Sequence, residues 1–165
     1  MDDETHGMSE DTSGPVFSPD EERALSSVLD EIIPPRGDAR LPGAGELGLA
    51  RYIEHTVQQT PDLGRAIAQG LAALDDLAGS RGAPGFAALS SLDKLEVLNE
   101  IATTEPGFLP GLIFHTYAGY YQNGRVMEAL GLEPRPPHPE GYEMEPSDLT
   151  LLEAVRRRPR MYREC

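Results

Sequence analysis

The stretch Gly107–Gly124, GFLPGLIFHTYAGYYQNG, decides how the rest of the chain is arranged. It holds two of the four Phe and three of the six Tyr in a chain that has no Trp. Its large side chains recur at steps of three and four residues, which predicts a helix with a broad apolar stripe made of Phe108, Leu112, Ile113, Tyr117, Tyr120 and Tyr121. Gly111 and Gly119 fall inside this pattern, where each costs about 1 kcal/mol relative to Ala. We therefore expect another element to pack closely against this helix.

Apolar residues at helical spacing predict further helices before and after this stretch. The first begins at the capping box Ser18–Glu21, with Phe17 stapled onto its first turn, and stops at Pro34-Pro35. A second helix is expected over about 46–59 and a third from Pro61. A fourth should bury a stripe of Leu92, Leu95, Leu98 and Ile101. No period-2 run is long enough for a strand, so we predict an all-α fold, a single compact helical domain of about five to six helices.

Composition shifts divide the chain into three parts. Residues 1–16 belong to an acidic end, since the first 22 residues carry eight acids and no Lys or Arg, and this predicts a disordered tail. Residues 17–132 form the helical domain. Residues 133–165 form a proline-rich arm, with five Pro between 133 and 146, followed by a short C-terminal helix and an arginine-rich tail.

Charge and composition restrict the classes of function. The formal net charge of −14 repels phosphate backbones, so we expect no nucleic-acid partner. The sequence has no basic start followed by an apolar run, and no stretch of ~20 apolar residues, so we expect a cytoplasmic protein without a membrane span. The single cysteine, Cys165, cannot form an internal disulfide, and the fold must depend on packing.

No group of residues forms a convincing active site. The four His show no metal-ligand spacing, and the glycines of Gly43–Gly45 follow a helix instead of the strand that a dinucleotide site needs. We assign no catalytic, cofactor-binding or metal-binding residue. One alternative stays open: a small independent enzyme in which His115 and Tyr117, with Glu105, serve as acid–base groups. A packed core histidine is the favoured interpretation of His115.

The tyrosines of the aromatic stretch allow two interpretations. They can fill the core, or they can form a partner-binding surface, because tyrosine buries a large area and keeps a polar tip. The proline-rich arm allows the same choice between a strap on its own domain and an arm around a partner. The candidate partner-binding residues are Phe108, Tyr117, Tyr120, Tyr121, Pro136, Pro137 and Tyr142. A helical scaffold unrelated to redox chemistry is a further alternative.

Short motifs in a fixed order resemble the gluconate 2-dehydrogenase subunit 3 family. The resemblance covers about residues 17–142. It begins with the helix end Leu29–Pro34 and the loop Leu41–Gly45, and continues through Tyr52-Ile53, Gly70-Leu71 and Gly85-Phe86 to Thr116–Tyr121. Each motif is degenerate, so their order carries the resemblance.

The resemblance implies a non-catalytic small accessory subunit of a flavin-dependent dehydrogenase of the glucose-methanol-choline (GMC) type, acting on a sugar, polyol or glycoside. FAD and the chemistry would belong to a large partner subunit, and a cytochrome could accept the electrons. The small subunit would support the folding or stability of the large one. Relatives often carry a twin-arginine export signal, which we do not see here, and this favours a cytoplasmic assembly or a free-standing relative.

Overall fold

The computed structural model of the protein describes residues 16–37, 40–136, 141 and 146–159. These ranges contain helices, turns and loops without a β-strand, which confirms the all-α prediction. The described α-helices are α1 (Pro19–Ile32), α2 (Ala50–Gln59), α3 (Pro61–Ser80), α4 (Ser91–Thr104), α5 (Phe108–Tyr121), α6 (Gly124–Ala129) and α7 (Glu153–Arg156). The count exceeds the expected five to six because it includes α6 and α7, which have only six and four residues.

The chain divides into a large unit that ends at Pro134 and a smaller one that starts at Arg135. The smaller unit contains a 3-10 turn over Leu149–Leu152 and then α7, and both leave apolar side chains exposed. The predicted acidic tail, apart from residue 16, lies outside the described residues, as do Pro137 and Tyr142. The predicted boundaries after residues 16 and 132 stay predictions.

The first helix begins as predicted. The Ser18 hydroxyl accepts a hydrogen bond from the Glu21 amide, and the Glu21 carboxylate accepts one from the Ser18 amide, so two otherwise unpaired donors are satisfied. Phe17 is buried beside this cap. The capping box therefore fixes where α1 starts and which of its sides faces the core.

The core of the large unit is built around α3 and α5. α3 has 20 residues and packs against α1, α2, α4 and α5. α5 contacts every other α-helix of this unit. Leu25, Ile53, Leu71 and Leu112, from four different helices, are fully buried in one cluster. The aromatic stretch is thus the central helix that the sequence predicts.

The helical glycines permit close approach, as expected. A Cβ on Gly119 would lie 2.7 Å from the Tyr52 ring on α2, and one on Gly111 would lie 2.7 Å from a methyl group of Leu63 on α3. α3 has its own glycine at the crossing, because a Cβ on Gly70 would overlap the Phe108 ring. Larger residues at Gly70 or Gly119 would press against an aromatic ring, whereas at Gly111 the Leu63 methyl group is the end of a flexible side chain and can move aside.

Two details of the predicted helices are wrong. α2 begins at Ala50, not near residue 46, because the preceding residues form tight turns and Gly48 takes a positive φ of 77°. In α4, Leu92 and Leu95 are 69% and 50% exposed, whereas Val97 and Ile101 are fully buried. The predicted stripe advanced in steps of three, and at about 100° per residue Leu92 lies about 180° from Ile101.

Candidate partner-binding surface

Helix α5 is apolar on both of its sides. Its 14 residues include no Asp, Glu, Lys or Arg. One side faces the core and consists of Phe108, Leu112, Thr116, Gly119 and Tyr120, all of which are buried. Thr116 is compatible with that environment because its hydroxyl donates to the Leu112 carbonyl at 2.6 Å.

The opposite side of α5, which we call the outer face, carries Ile113, Phe114, Tyr117 and Tyr121. These side chains are 40%, 68%, 46% and 52% exposed. Single exposed apolar residues are common on protein surfaces, but a row of four along one helix without a charged residue is typical of an interaction site. The outer face therefore is the strongest candidate for contact with another molecule in the described part of the chain.

The aromatic rings of the outer face are held against neighbouring rings. Tyr117 and Tyr121 stack with centroids 6.1 Å apart and an interplanar angle of 25°. Tyr121 also meets the buried Tyr120 edge to face at 5.3 Å. Phe114 contacts the His115 ring edge to face at 5.1 Å. Rings that are already ordered lose less conformational entropy when a partner covers them.

The predicted partner-binding residues fall into separate places. Tyr117 and Tyr121 belong to the outer face, whereas Phe108 and Tyr120 are only 1% and 2% exposed and contribute to the core. Pro136 is exposed and belongs to the smaller unit. Since buried side chains offer no area to a partner, we leave Phe108 and Tyr120 out of the surface proposed below.

Sequence reasoning missed Phe114, the most exposed residue of the outer face. The signal was present, because residues 110, 113, 114, 117 and 121 recur at steps of three and four, and all five positions are exposed. They form a second apolar stripe beside the one that includes Leu112. A helix with two apolar stripes and no charge indicates two packing partners, of which the domain supplies one.

Tyr120 is a structural residue that fastens the loop between α1 and α2. Its hydroxyl donates to the Pro42 carbonyl at 2.9 Å. Burial raises the pKa of this phenol, Tyr121 raises it further, and the positive charge of Arg36 opposes both. The Asp30 carboxylate holds the same loop by accepting from the Gly45 amide at 2.7 Å. α5 is thereby tied to the loop that resembles the family motif.

The residues of the enzyme alternative do not share one site. Tyr117 is on the outer face, and two residues apart on a helix means about 200° of rotation, so the His115 side chain projects elsewhere. The Nδ1 atom of His115 is buried and has no hydrogen-bond partner. Three clefts in the described part of the chain are lined by residues other than His115, Tyr117 and Glu105. The geometry thus offers no acid–base pair built from His115 and Tyr117.

The described ranges show neither a metal site nor a helix that could span a membrane. They contain no group of three His, Cys, Asp or Glu side chains that could hold a metal ion. Bilayer crossing needs a long and continuously apolar helix, and none occurs there.

Fold and surface together define a small helical protein with an exposed apolar, aromatic face on one helix. The family model for gluconate 2-dehydrogenase subunit 3 matches residues 19–131, which is most of the chain. The chain belongs to this family. Comparison with curated proteins and with solved structures gives no match. Membership makes it a subunit of a dehydrogenase assembly, and it implies a catalytic partner.

Proposed function

We propose that this chain is a non-catalytic accessory subunit of a flavin-dependent dehydrogenase of the GMC type that oxidises a sugar, polyol or glycoside. The catalytic subunit binds FAD and carries out the chemistry, and a cytochrome is a further candidate member of the assembly. The small subunit docks through the outer face of α5 and supports the folding or stability of the large one. The observation that carries this proposal is the exposed apolar row on α5 in a member of a subunit family.

The size of the outer face suits a group of binding hot spots. Burying one large apolar side chain contributes about 1.5–3 kcal/mol. Phe114, Tyr117 and Tyr121 offer three aromatic anchors, and interfaces depend on a few such residues near their centre. Tyrosine hydroxyls can hydrogen-bond at the rim while their rings are covered. A partner groove that accepts these rings would remove the largest exposed apolar side chains of α5 from water.

An accessory role follows from mass action. A subunit that binds only the native state of its partner stabilises that state by about 2.7 kcal/mol when its concentration is 100 times the dissociation constant. That figure is a large part of the stability of a typical domain. A small helical subunit can therefore raise the yield of a large flavoprotein without touching its substrate.

Coexpression with the flavoprotein subunit from the same cells tests the proposal. We expect one gel-filtration peak that contains both chains in a defined ratio and absorbs visible light as flavin does. Separate migration of the two chains would contradict the proposal. Capture of a partner that lacks flavin would favour the helical scaffold, and turnover of a metabolite by the purified small chain alone would favour the independent enzyme.

A pair of double variants tests the docking surface. Phe114→Ser with Tyr117→Ser removes two anchors from the outer face and should abolish the common peak. Leu92→Ser with Leu95→Ser is the matched control, because it removes two exposed apolar side chains from α4 and should leave the complex intact. Both variants should keep the helical circular dichroism, since all four side chains are exposed. Equal loss of the complex in both would contradict docking through α5.

A further inference from the structure

A small cleft lies between the loop that joins α1 to α2 and the start of α6. Its volume is about 180 Å³, and its lining includes Arg36, Arg40 and Arg125 together with Glu46 and Pro42. None of these residues belongs to the outer face of α5. The cleft is therefore distinct from the proposed docking surface.

The walls of this cleft are fixed by hydrogen bonds. The Arg36 amide donates to the Leu41 carbonyl at 3.0 Å, which closes the loop. Pro42 accepts from the Tyr120 hydroxyl and is thereby tied to α5. Arg125 is the second residue of α6, and its amide donates to the Asn123 side chain at 3.0 Å. The three arginines thus come from two elements whose backbones are held in place.

The described lining of the cleft is opposite in charge to the rest of the unit. Residues 16–134 include 17 acids and eight bases in the sequence, whereas the described residues that line the cleft include three of those bases and one acid, Glu46. The Arg125 guanidinium makes no ion pair with another described residue, and Arg36 and Arg40 make further interactions within the chain. Arg125 is therefore the side chain on which a test depends.

The dimensions and the donors of the cleft select the ligand class. Guanidinium groups bind phosphate and carboxylate oxygens through paired N–H donors. Sites for drug-sized ligands start at about 300 Å³, so a cleft of this size suits a small anion better than a nucleotide. We propose that the cleft binds a small free oxyanion, a phosphate or a short carboxylate, through Arg125 together with Arg36 and Arg40.

Calorimetric titration of the full chain tests this proposal. Inorganic phosphate and malonate are the two probes, each added at constant ionic strength near pH 7, and we expect saturable binding of at least one with a single site per chain. Arg125→Gln should weaken that binding about tenfold, since charge-assisted hydrogen bonds are among the stronger ones in proteins. The matched control is Arg51→Gln, which removes the same charge from an exposed position on α2 and should leave the affinity unchanged.

A second variant, which should strengthen anion binding instead of weakening it, separates an effect on the cleft from a loss of folding. Glu46→Gln removes the carboxylate that lines the cleft and should strengthen anion binding several-fold, because a like charge near the ligand is repulsive. Three outcomes would overturn the proposal: no saturable binding of either probe, equal weakening by Arg125→Gln and Arg51→Gln, or no gain from Glu46→Gln. Equal weakening would mean that the anion responds to overall charge and not to this cleft. None of these outcomes bears on docking through α5.

Discussion

Replacement of Gly70 by Ala tests the close packing on which the fold is built. The three atoms nearest to an added Cβ are all ring atoms of Phe108, and all lie closer than 3.0 Å. Real Cβ atoms essentially never come that close to another group. The Phe108 ring is 1% exposed and cannot swing into solvent. α3 and α5 must therefore move apart, or Phe108 must leave its rotamer.

The expected magnitude follows from two opposing terms. Overpacking a core of this kind costs about 1–3 kcal/mol. Alanine gains about 1 kcal/mol over glycine inside a helix. The difference is about 0–2 kcal/mol, and because the buried ring lies so close to the added Cβ we expect the upper half of that range. For a chain of this size a loss of about 1–2 kcal/mol lowers the melting temperature by roughly 2–8 °C.

The same helix provides the control. Gly79 also lies in α3, and a Cβ there would have no atom within 4 Å. Gly79→Ala should therefore be neutral or raise the free energy of unfolding by a few tenths of a kcal/mol, since it lies in the last turn. Urea denaturation followed by circular dichroism measures both variants. If Gly70→Ala is as stable as Gly79→Ala, the close crossing of α3 and α5 is refuted.

A double variant isolates the contact with Phe108. Phe108→Leu alone should destabilise the chain, because it leaves space in the core. In the double variant the new methyl group occupies part of that space, so Gly70→Ala with Phe108→Leu should cost clearly less than the sum of the two single changes. Strict additivity would show that the two residues do not touch.

Three further changes probe the cap and the loop, each measured by urea denaturation. Tyr120→Phe removes the hydrogen bond to Pro42 and should cost about 1 kcal/mol at pH 7. Burial raises the folded-state pKa of this phenol above its ordinary value of 10.0, so the difference in stability between the wild type and Tyr120→Phe should be complete below pH 10 and should shrink as the pH rises further. A difference that stays constant above pH 10 would contradict the raised pKa. Asp30→Ala frees the Gly45 amide and should cost about 2 kcal/mol, with faster hydrogen exchange at that amide. A change under a few tenths of a kcal/mol would show that the hydrogen bond from Gly45 to Asp30 does not stabilise the loop. Ser18→Ala breaks the capping box and should cost about 1 kcal/mol, and a silent change would mean that α1 frays at this end.

Local signals in the sequence were sufficient for most helix positions. The box Ser18–Glu21 and the prolines at 34, 35 and 61 mark helix ends through the backbone chemistry of single residues, and the structure places ends there. The glycines within the aromatic stretch predicted a close neighbour, and Tyr52 and Leu63 are those neighbours. These features depend on nearby residues, so a single sequence is enough to find them.

It was harder to predict which side of each helix is buried. α5 is apolar all round, so its periodicity could not separate Tyr120, which is buried, from Tyr121, which is half exposed. In α4 a leucine series at steps of three drifts around the helix, and the positions of α3 and α5 decide which leucines are covered. The bond from Tyr120 to Pro42 joins residues 78 apart and leaves no local trace in the sequence.

The proposed partner-binding surface was hard to predict for the same reason, because an apolar helix face in a sequence can be either buried or exposed. The sequence contains the stripe to which Phe114 belongs, but only the fold assigns Leu112 and Thr116 to the core and leaves Phe114 exposed. The arginine cleft likewise brings Arg36 and Arg40 next to Arg125 through tertiary contacts. Sequence order separates those positions by more than 80 residues, so no motif could have joined them.

Radical footprinting of the assembled dehydrogenase tests docking through the outer face most directly. Hydroxyl radicals modify exposed side chains, and the modification of each residue can be compared between the free subunit and the complex. We predict that Phe114, Tyr117 and Tyr121 lose most of their reactivity in the complex, whereas Leu92 and Leu95 keep theirs. Unchanged reactivity of the three aromatic residues, with protection elsewhere on the chain, would contradict the account.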